Sequence, residues 1–365
     1  MVNFFRVERN AALLLLVAAI AGLITANSPL ASAFDVLRET KLGFEAVHLD
    51  LSIVNWLGEF FIAGFFLLIG LELKREFTTG AFKNRSALTI PGLAALFGAV
   101  VPAFIFFLLV SGPQAAGWPI PMATDVTFAL AVFAVFGSAF SKSARVFLLS
   151  FAVIDDVIAI VVIALFLGSG LDVVWLLPAT ASFALFAYAA RKNPILAAIL
   201  GLAAWYFTYR LGIQPAVAGV VLGLLVPFDR VEKLEHRIHP WVSVLILPVF
   251  AFFAAGVSIS GGLVIGSAVT IAILLRPVGK VIGINLGVVL GKLLVRGEAF
   301  TDLRPTDYLR LSILGGIGFT VALLIGSSVY AKDAATLTES TIATLAALAI
   351  SAVLGAIALS TRKKA

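Results

Sequence analysis

The chain has 365 residues, 61% of them hydrophobic and only 13% charged, with a net charge of +6 and no cysteine. Soluble proteins carry about 45–50% apolar and about 25% charged residues, so a typical soluble enzyme is excluded, as are disulfides, thiolate metal sites and thiol nucleophiles. The charges gather in short clusters between apolar runs long enough to cross a bilayer. The positive balance is that of membrane-protein loops, because no basic stretch interleaved with aromatics exists to bind nucleic acid.

Twelve apolar spans bounded by charge or turn residues are predicted in chain order, forming one polytopic domain over residues 1–365. The first six are Ala11 to Ala26, Ile53 to Leu71, Ala87 to Ser111, Pro119 to Phe140, Val146 to Gly168 and Val174 to Ala190. The others are Ile195 to Tyr209, Gly212 to Phe228, Trp241 to Ser258, Leu263 to Gly291, Leu311 to Tyr330 and Thr341 to Ser360. The seventh and eighth are short. The tenth, at about 45 Å if helical throughout, must tilt or project. Between the first two spans, residues 41–52 alternate loosely, with Leu42, Phe44, Leu49 and Leu51 among Glu45, His48 and Asp50. That pattern fits a short external β-hairpin able to pair edges with a second copy, or an ordinary polar loop. Residues 229–240 read as a charged amphipathic helix start.

Orientation follows from Lys and Arg, which concentrate on cytoplasmic loops. With the N-terminus inside, only Arg38, Lys41, Arg210 and Lys332 fall outside and only Arg276 and Lys280 fall within spans. The other 20 of the 26, from Arg6 and Arg9 through Lys83, Arg85 and Arg296 to Arg362, Lys363 and Lys364, lie on the inner side, so both termini are expected there. A rival reading makes the first run, with Ala31-Ser32-Ala33, a cleavable signal peptide.

Four acids accompany Arg276 and Lys280 inside spans: Glu59, Asp125, Asp155 and Asp156. Each such group costs about 2.5–3.5 kcal/mol near the bilayer centre, roughly 15–20 kcal/mol for six, which demands pairing or function. For Glu59, in the outer third of its span, structural pairing and function weigh equally. Asp155 and Asp156 repel one another and point about 100° apart on a helix, so one can pair while the other faces a cavity. Lys280 lies about 12 residues, or roughly 18 Å, from Lys292, a depth that matches either aspartate. Gly279, Gly283, Gly287 and Gly291 line the same span with small residues that let another helix approach closely. Arg276, one turn from Lys280, is read as serving an outer cavity or a partner.

Two spans are interrupted. The fourth begins Pro119-Ile120-Pro121-Met122-Ala123-Thr124-Asp125, and the eleventh contains Gly315-Gly316-Ile317-Gly318-Phe319-Thr320. Broken spans are tolerated only where buried in protein or lining an aqueous cavity. As the middle members of spans 3–5 and 10–12, they fit two inverted repeats with an ion site at the breaks.

These residues resemble the NhaA-type bacterial sodium/proton antiporters over essentially the whole chain. The resemblance rests on Gly70-Leu71-Glu72-Leu73-Lys74-Arg75-Glu76, Ala123-Thr124-Asp125, Ile154-Asp155-Asp156, Leu234-Glu235-His236 with His239-Pro240, Gly279-Lys280 and Gly316-Ile317-Gly318-Phe319-Thr320. It implies an all-α, twelve-helix membrane fold with crossed, broken helices 4 and 11, in the bacterial inner membrane. It implies that Asp155 and Asp156 bind the transported Na+ (or Li+) and protons, that Lys280 pairs with Asp155, and that Thr124 and Asp125 compensate charge at the crossing. Glu72, Arg75, Glu76, Glu235, His236 and His239 match a cytoplasmic pH-response cluster, whose alternative reading is a solvated positive loop. Residues 41–52 match a hairpin that joins homodimers. The chain departs from the family at Gln214, where a His is usual, at Val281, where Pro is usual, at Glu232, where a base is expected, and at Arg276.

The implied activity is electrogenic sodium/proton antiport, activated at alkaline pH, without cofactor. Another monovalent cation/proton exchanger or a proton-coupled symporter is the alternative. An intramembrane aspartyl protease is excluded by the lack of a Gly-x-Gly-Asp motif. A nucleotide-driven pump is excluded because Gly291-Lys292 lacks the rest of a P-loop.

Overall fold

The computed structural model describes residues 2–79, 85–168, 170–259, 266–295 and 300–362, with side chains from residue 10 onward except at 85–87. The side chains of Arg6, Arg9 and Arg85, and Lys83, Arg296, Lys363 and Lys364 altogether, lie outside the described residues, as does the Leu263 start of the tenth span.

The chain opens with α1 (Val2–Ala26) and α2 (Ala31–Glu39), then β1 (Lys41–Leu42) and β2 (Leu51–Ser52), paired antiparallel. Helix α3 (Ile53–Trp56) runs through a π-turn at Leu57–Phe61 into α4 (Ile62–Thr79). There follow α5 (Arg85–Leu109), two 3₁₀ turns at Gly112–Gly117 and Ile120–Met122, α6 (Val126–Phe136), α7 (Lys142–Phe166), α8 (Leu176–Lys192), α9 (Pro194–Leu211) and α10 (Ala216–Leu225). Next, α11 (Phe228–Trp241) continues through a π-turn at Val242–Ile246 into α12 (Leu247–Ala255). The remainder is α13 (Ala268–Leu274), α14 (Arg276–Leu294), α15 (Pro305–Gly315), α16 (Thr320–Val329) and α17 (Ala334–Ser360).

Local chemistry sets the helix ends. Asn193 caps α9, its side-chain oxygen accepting from the Ile195 and Leu196 amides at 3.0 and 3.2 Å, with Pro194 at the first helical position. Gly212 ends the same helix at φ 83°, a conformation glycine adopts without a side-chain clash.

Among the described residues, eight helical segments are long and apolar enough to cross a membrane, and the count rises to eleven when each of three bent pairs is one span. Two of those pairs are the interrupted spans, Gly112–Met122 with Val126–Phe136, bent by 42°, and Pro305–Gly315 with Thr320–Val329, bent by 46°. The chain is therefore a multi-pass, mostly helical membrane protein.

The structure departs from the sequence expectations at several places, each with a local cause. The tenth span is not one long helix: α13 and α14 meet at Leu275, because Pro277 in the first turn of α14 has no N–H to continue α13. The second span runs on to Thr79, so Glu72, Arg75 and Glu76 are helical, and α11 joins the ninth span without a loop. The helix of the eleventh span begins at Pro305, which places Asp307 within it and leaves that residue only 1% exposed. Regular α-helix in the fourth span is confined to α6. The Ala31-Ser32-Ala33 triplet opens α2. Within residues 41–52 the strands are two residues each, around a 3₁₀ turn ending at His48 with φ 58°.

Two compact units divide the chain. The first holds Met1–Leu14, Ala81–Ile160 and Val257–Ala365. Its closest helix pair is α5 with α14, and the glycine stripe faces α5. A Cβ at Gly283 would lie 2.1 Å from the Phe97 carbonyl oxygen and one at Gly287 2.2 Å from that of Leu93. Only hydrogen at those positions allows the backbones to touch. The second unit holds Leu15–Gly80 and Val161–Gly256. There α4 and α10 meet by the same device, a Cβ at Gly219 falling 2.1 Å from the Ala63 carbonyl oxygen.

Candidate functional site

Within the first unit, two unwound segments face each other. Prolines 119 and 121 hold the Ile120–Met122 turn in 3₁₀ form. Ala123 and Asp125 are then extended, at ψ 135° and 103°, before α6 starts. In the other segment, α15 stops at Gly315 and Phe319, at φ −144° and ψ −81°, leads into α16. Four hydrogen bonds stitch the segments together. The Thr124 hydroxyl donates to the Gly315 carbonyl at 2.7 Å and the Asp125 amide to the Ile317 carbonyl at 2.6 Å. The Thr320 hydroxyl and amide both donate to Asp125 Oδ2, at 2.9 and 3.3 Å. A Cβ at Gly318 would fall 2.2 Å from the Ala123 carbonyl oxygen, so the crossing is backbone against backbone.

Asp125 therefore has a double role. Its Oδ1 accepts from the Phe128 amide at 3.3 Å, capping α6, while Oδ2 takes the first donors of α16. A single carboxylate thus serves two helix N-termini, each carrying roughly half a positive charge. Thr124 and Asp125 are both buried.

The second component is an ion pair. Lys280 on α14 donates to both oxygens of Asp155 on α7, each at 2.9 Å, and the side chains are 0% and 1% exposed. Asp155 Oδ2 also accepts from the Thr124 amide at 3.1 Å, which ties the pair to the first break. The Lys280 ammonium sits 5.8 Å from the centre of the Phe151 ring. Asp156 is half-buried and points about 100° further round α7. Asp125, Thr124, Asp155, Asp156 and Lys280 are thus gathered in one unit, with carboxylate, hydroxyl and carbonyl oxygens, the hard ligands of small cations. Arg276 belongs to the same unit and is 0% exposed, which removes the reading that it lines an outer cavity.

The remaining candidates lie in the second unit. Arg75 donates to the buried carboxylate of Glu235. Glu72 and Glu76 flank Arg75 on α4. His236 Nδ1 meets the Glu232 carbonyl oxygen at 2.8 Å and His239 Nδ1 the Ser243 hydroxyl at 3.4 Å. Glu232 thus engages this cluster through its backbone. Glu59 lies in the π-turn Leu57–Phe61. Such a turn leaves carbonyls without helical partners, and side chains supply them: Trp205 Nε1 donates to the Glu59 carbonyl at 2.8 Å and Gln214 Nε2 to that of Gly58 at 3.4 Å. In the 41–52 segment Lys41 bonds Asp50 at 2.9 Å, and that hydrogen bond pushes the Lys41 ammonium above its ordinary value.

Two residues of consequence were not among the sequence candidates. Thr320 supplies two of the four bonds across the crossing, and its signal was its place at the end of the glycine-rich break. Asp307, ahead of the Leu311 start of the predicted eleventh span, is buried against Arg362 at 2.7 and 3.0 Å.

The chain has clear relatives. The profile of the family described as Na+/H+ antiporter 1 matches residues 2–359. The Na(+)/H(+) antiporter NhaA 1 of Saccharopolyspora erythraea is 40% identical, over 94% of this chain and 89% of that protein. The Na(+)/H(+) antiporter NhaA 2 of Mycolicibacterium vanbaalenii is 39% identical, over 100% and 85%. Among solved structures, the sodium proton antiporter MjNhaP1 from Methanocaldococcus jannaschii, at pH 8, superposes with a TM-score of 0.58 over 98% of this chain and 96% of that one, at 13% identity, a likeness of fold.

Proposed function

Since the chain belongs to the Na+/H+ antiporter 1 family, we propose that Asp155 and Asp156 form one site for which sodium and protons compete. The protein is a sodium/proton antiporter, a transporter rather than an enzyme. The observation that carries the site is the buried Lys280–Asp155 pair beside half-buried Asp156, next to the crossing of two unwound segments.

Sodium requires deprotonated carboxylates, so loading the ion expels protons and loading protons expels the ion. Exposure of the site to each side in turn converts that competition into exchange. One proton leaves Asp156 and a second leaves Asp155 or Lys280, whose pairing each makes the other's charge tolerable. Two protons against one sodium moves net charge, so exchange is electrogenic, with lithium as a second substrate. Activity rises with pH, and the Glu72, Arg75, Glu76, Glu235, His236 and His239 cluster sharpens the response.

The full reading has twelve membrane helices, with the short apolar Ala216–Leu225 as one. Two inverted three-helix repeats each centre on a broken span, both termini are cytoplasmic in a bacterial inner membrane, and dimerisation is through residues 41–52. What supports it is the pair of similar bends, 42° and 46°, in corresponding spans and the asymmetry of Lys and Arg between alternate loops.

The test is dequenching of a proton-gradient dye in liposomes holding the purified protein, with sodium, lithium and potassium added in turn at about pH 8 and above. A response to sodium is expected, and Asp156→Asn abolishes it. No response to sodium or lithium overturns the reading, and a response to potassium alone favours another cation/proton exchanger. Retained exchange in Asp156→Asn means that the wrong carboxylate has been assigned.

A further inference from the structure

Arg276, the first residue of α14, is fully buried, yet Nε and Nη1 find no hydrogen-bond acceptor among the described residues. Its one bond is a long one, from Nη2 to the Thr344 carbonyl at 3.4 Å. A buried guanidinium with two orphaned donors is an expensive group to keep for packing alone. Its position suggests what it does. A Cβ at Gly318 would lie 2.9 Å from Nη1, so the guanidinium reaches the point where the two unwound segments cross. It stands one turn before Lys280 on the same helix. The charged groups in its electrostatic reach are Asp125, beside α6, and Lys280; Thr344 on α17 and the Gly318 segment present no ionisable side chain to it. Asp155 and Asp156 lie within electrostatic reach of Lys280.

We infer that Arg276 is a positioning residue of the exchange site, the permanent cation that balances Asp125 at the crossing while Lys280 pairs with Asp155. The charge count supports this. With the second proton drawn from Asp155, ionised Asp125, Asp155 and Asp156 against Arg276 and Lys280 leave one net negative charge, which a single sodium ion neutralises. Without Arg276 the same ion leaves the site negative. The inference rests on the exchange reading above.

A unit charge about 10 Å from a carboxylate, at an effective dielectric of about 20, changes its proton affinity by roughly one pH unit. Arg276→Met is therefore expected to move the pH profile of sodium-driven exchange about one unit to the alkaline side. It also lowers the sodium KM on the alkaline plateau by up to about tenfold, because both cations gain. Arg276→Lys keeps the wild-type profile. Each variant is melted in detergent and assayed in the same liposomes as the wild type, whose own failure to respond to sodium would sink the exchange reading instead. A folded Arg276→Met with unchanged profile and KM overturns the inference, as does Arg276→Lys shifted as far as Met. If Arg276→Met does not fold, Arg276→Gln, which keeps donors for the Thr344 carbonyl, takes its place. A chain that folds with Lys and with neither neutral residue assigns Arg276 to assembly and also overturns the inference.

Discussion

Removing the Asp125 carboxylate separates capping from charge. In Asp125→Ala the Phe128 amide and the Thr320 amide and hydroxyl lose their acceptor inside a buried crossing. Each N-cap is worth about 1 kcal/mol, and the charge-assisted hydroxyl bond adds about 1.5–3 kcal/mol. The sum is about 4 kcal/mol. In a protein of this size that corresponds to a fall in melting temperature of about 5 °C. Asp125→Asn keeps one acceptor oxygen and loses the charge, so about half that fall is expected, together with a change in sodium KM. Intrinsic tryptophan fluorescence during heating, with the five tryptophans as reporters, gives the first quantity and liposome exchange the second. Equal melting temperatures for wild type and Asp125→Ala would refute the argument that one carboxylate caps both helices.

Two further outcomes follow from local geometry. Gly287→Ala gains about 1 kcal/mol of helix propensity but puts a methyl 2.2 Å from the Leu93 carbonyl oxygen, so α5 and α14 must part by about 1 Å, with a net loss of about 1–2 kcal/mol; a raised melting temperature contradicts the packing. Asp333, capping α17, accepts from the Thr336 hydroxyl at 2.6 Å and amide at 3.1 Å, and these bonds hold its carboxyl below the usual value of 3.8. A lowered folded value means stability present above the ordinary value and lost as pH falls through the folded one. The melting-temperature difference between wild type and Asp333→Asn is therefore full at pH 6 and shrinks as pH falls below the usual value of 3.8, whereas a difference constant with pH removes the assigned cause.

What sequence reasoning reached at this site was set by cost. Charged residues are so expensive in hydrocarbon that Asp125, Asp155, Asp156, Arg276 and Lys280 announce themselves, and the depth of Lys280 alone matched it to the aspartate pair. The prolines and glycines of the two breaks were legible for the same reason, since a helix interrupted in a membrane must be protected. Hidden were features that depend on tertiary neighbours. Asp307 sits near a helix start where an acid is ordinary, and only the approach of Arg362 turns it into a buried ion pair. Thr320 looks like any helix-opening threonine until Asp125 lies opposite it. The division of the tenth span at Leu275 was missed because hydropathy is blind to the amide hydrogen that Pro277 lacks.

The first unit is assembled from segments at the beginning, middle and end of the chain, and this has a consequence for its synthesis. Lys280 follows Asp155 by 125 residues, and Thr320 follows Asp125 by 195. At about 5–20 residues per second, the aspartates of α7 wait roughly 6–25 s in the membrane before their ammonium partner is made, and the Asp125 crossing waits longer. Throughout that interval water, lipid headgroups or the insertion machinery must carry their charge. The second unit, complete by Gly256, has no such wait for the final third of the chain. Translational pausing after Gly256 thus bears on yield through the first unit alone.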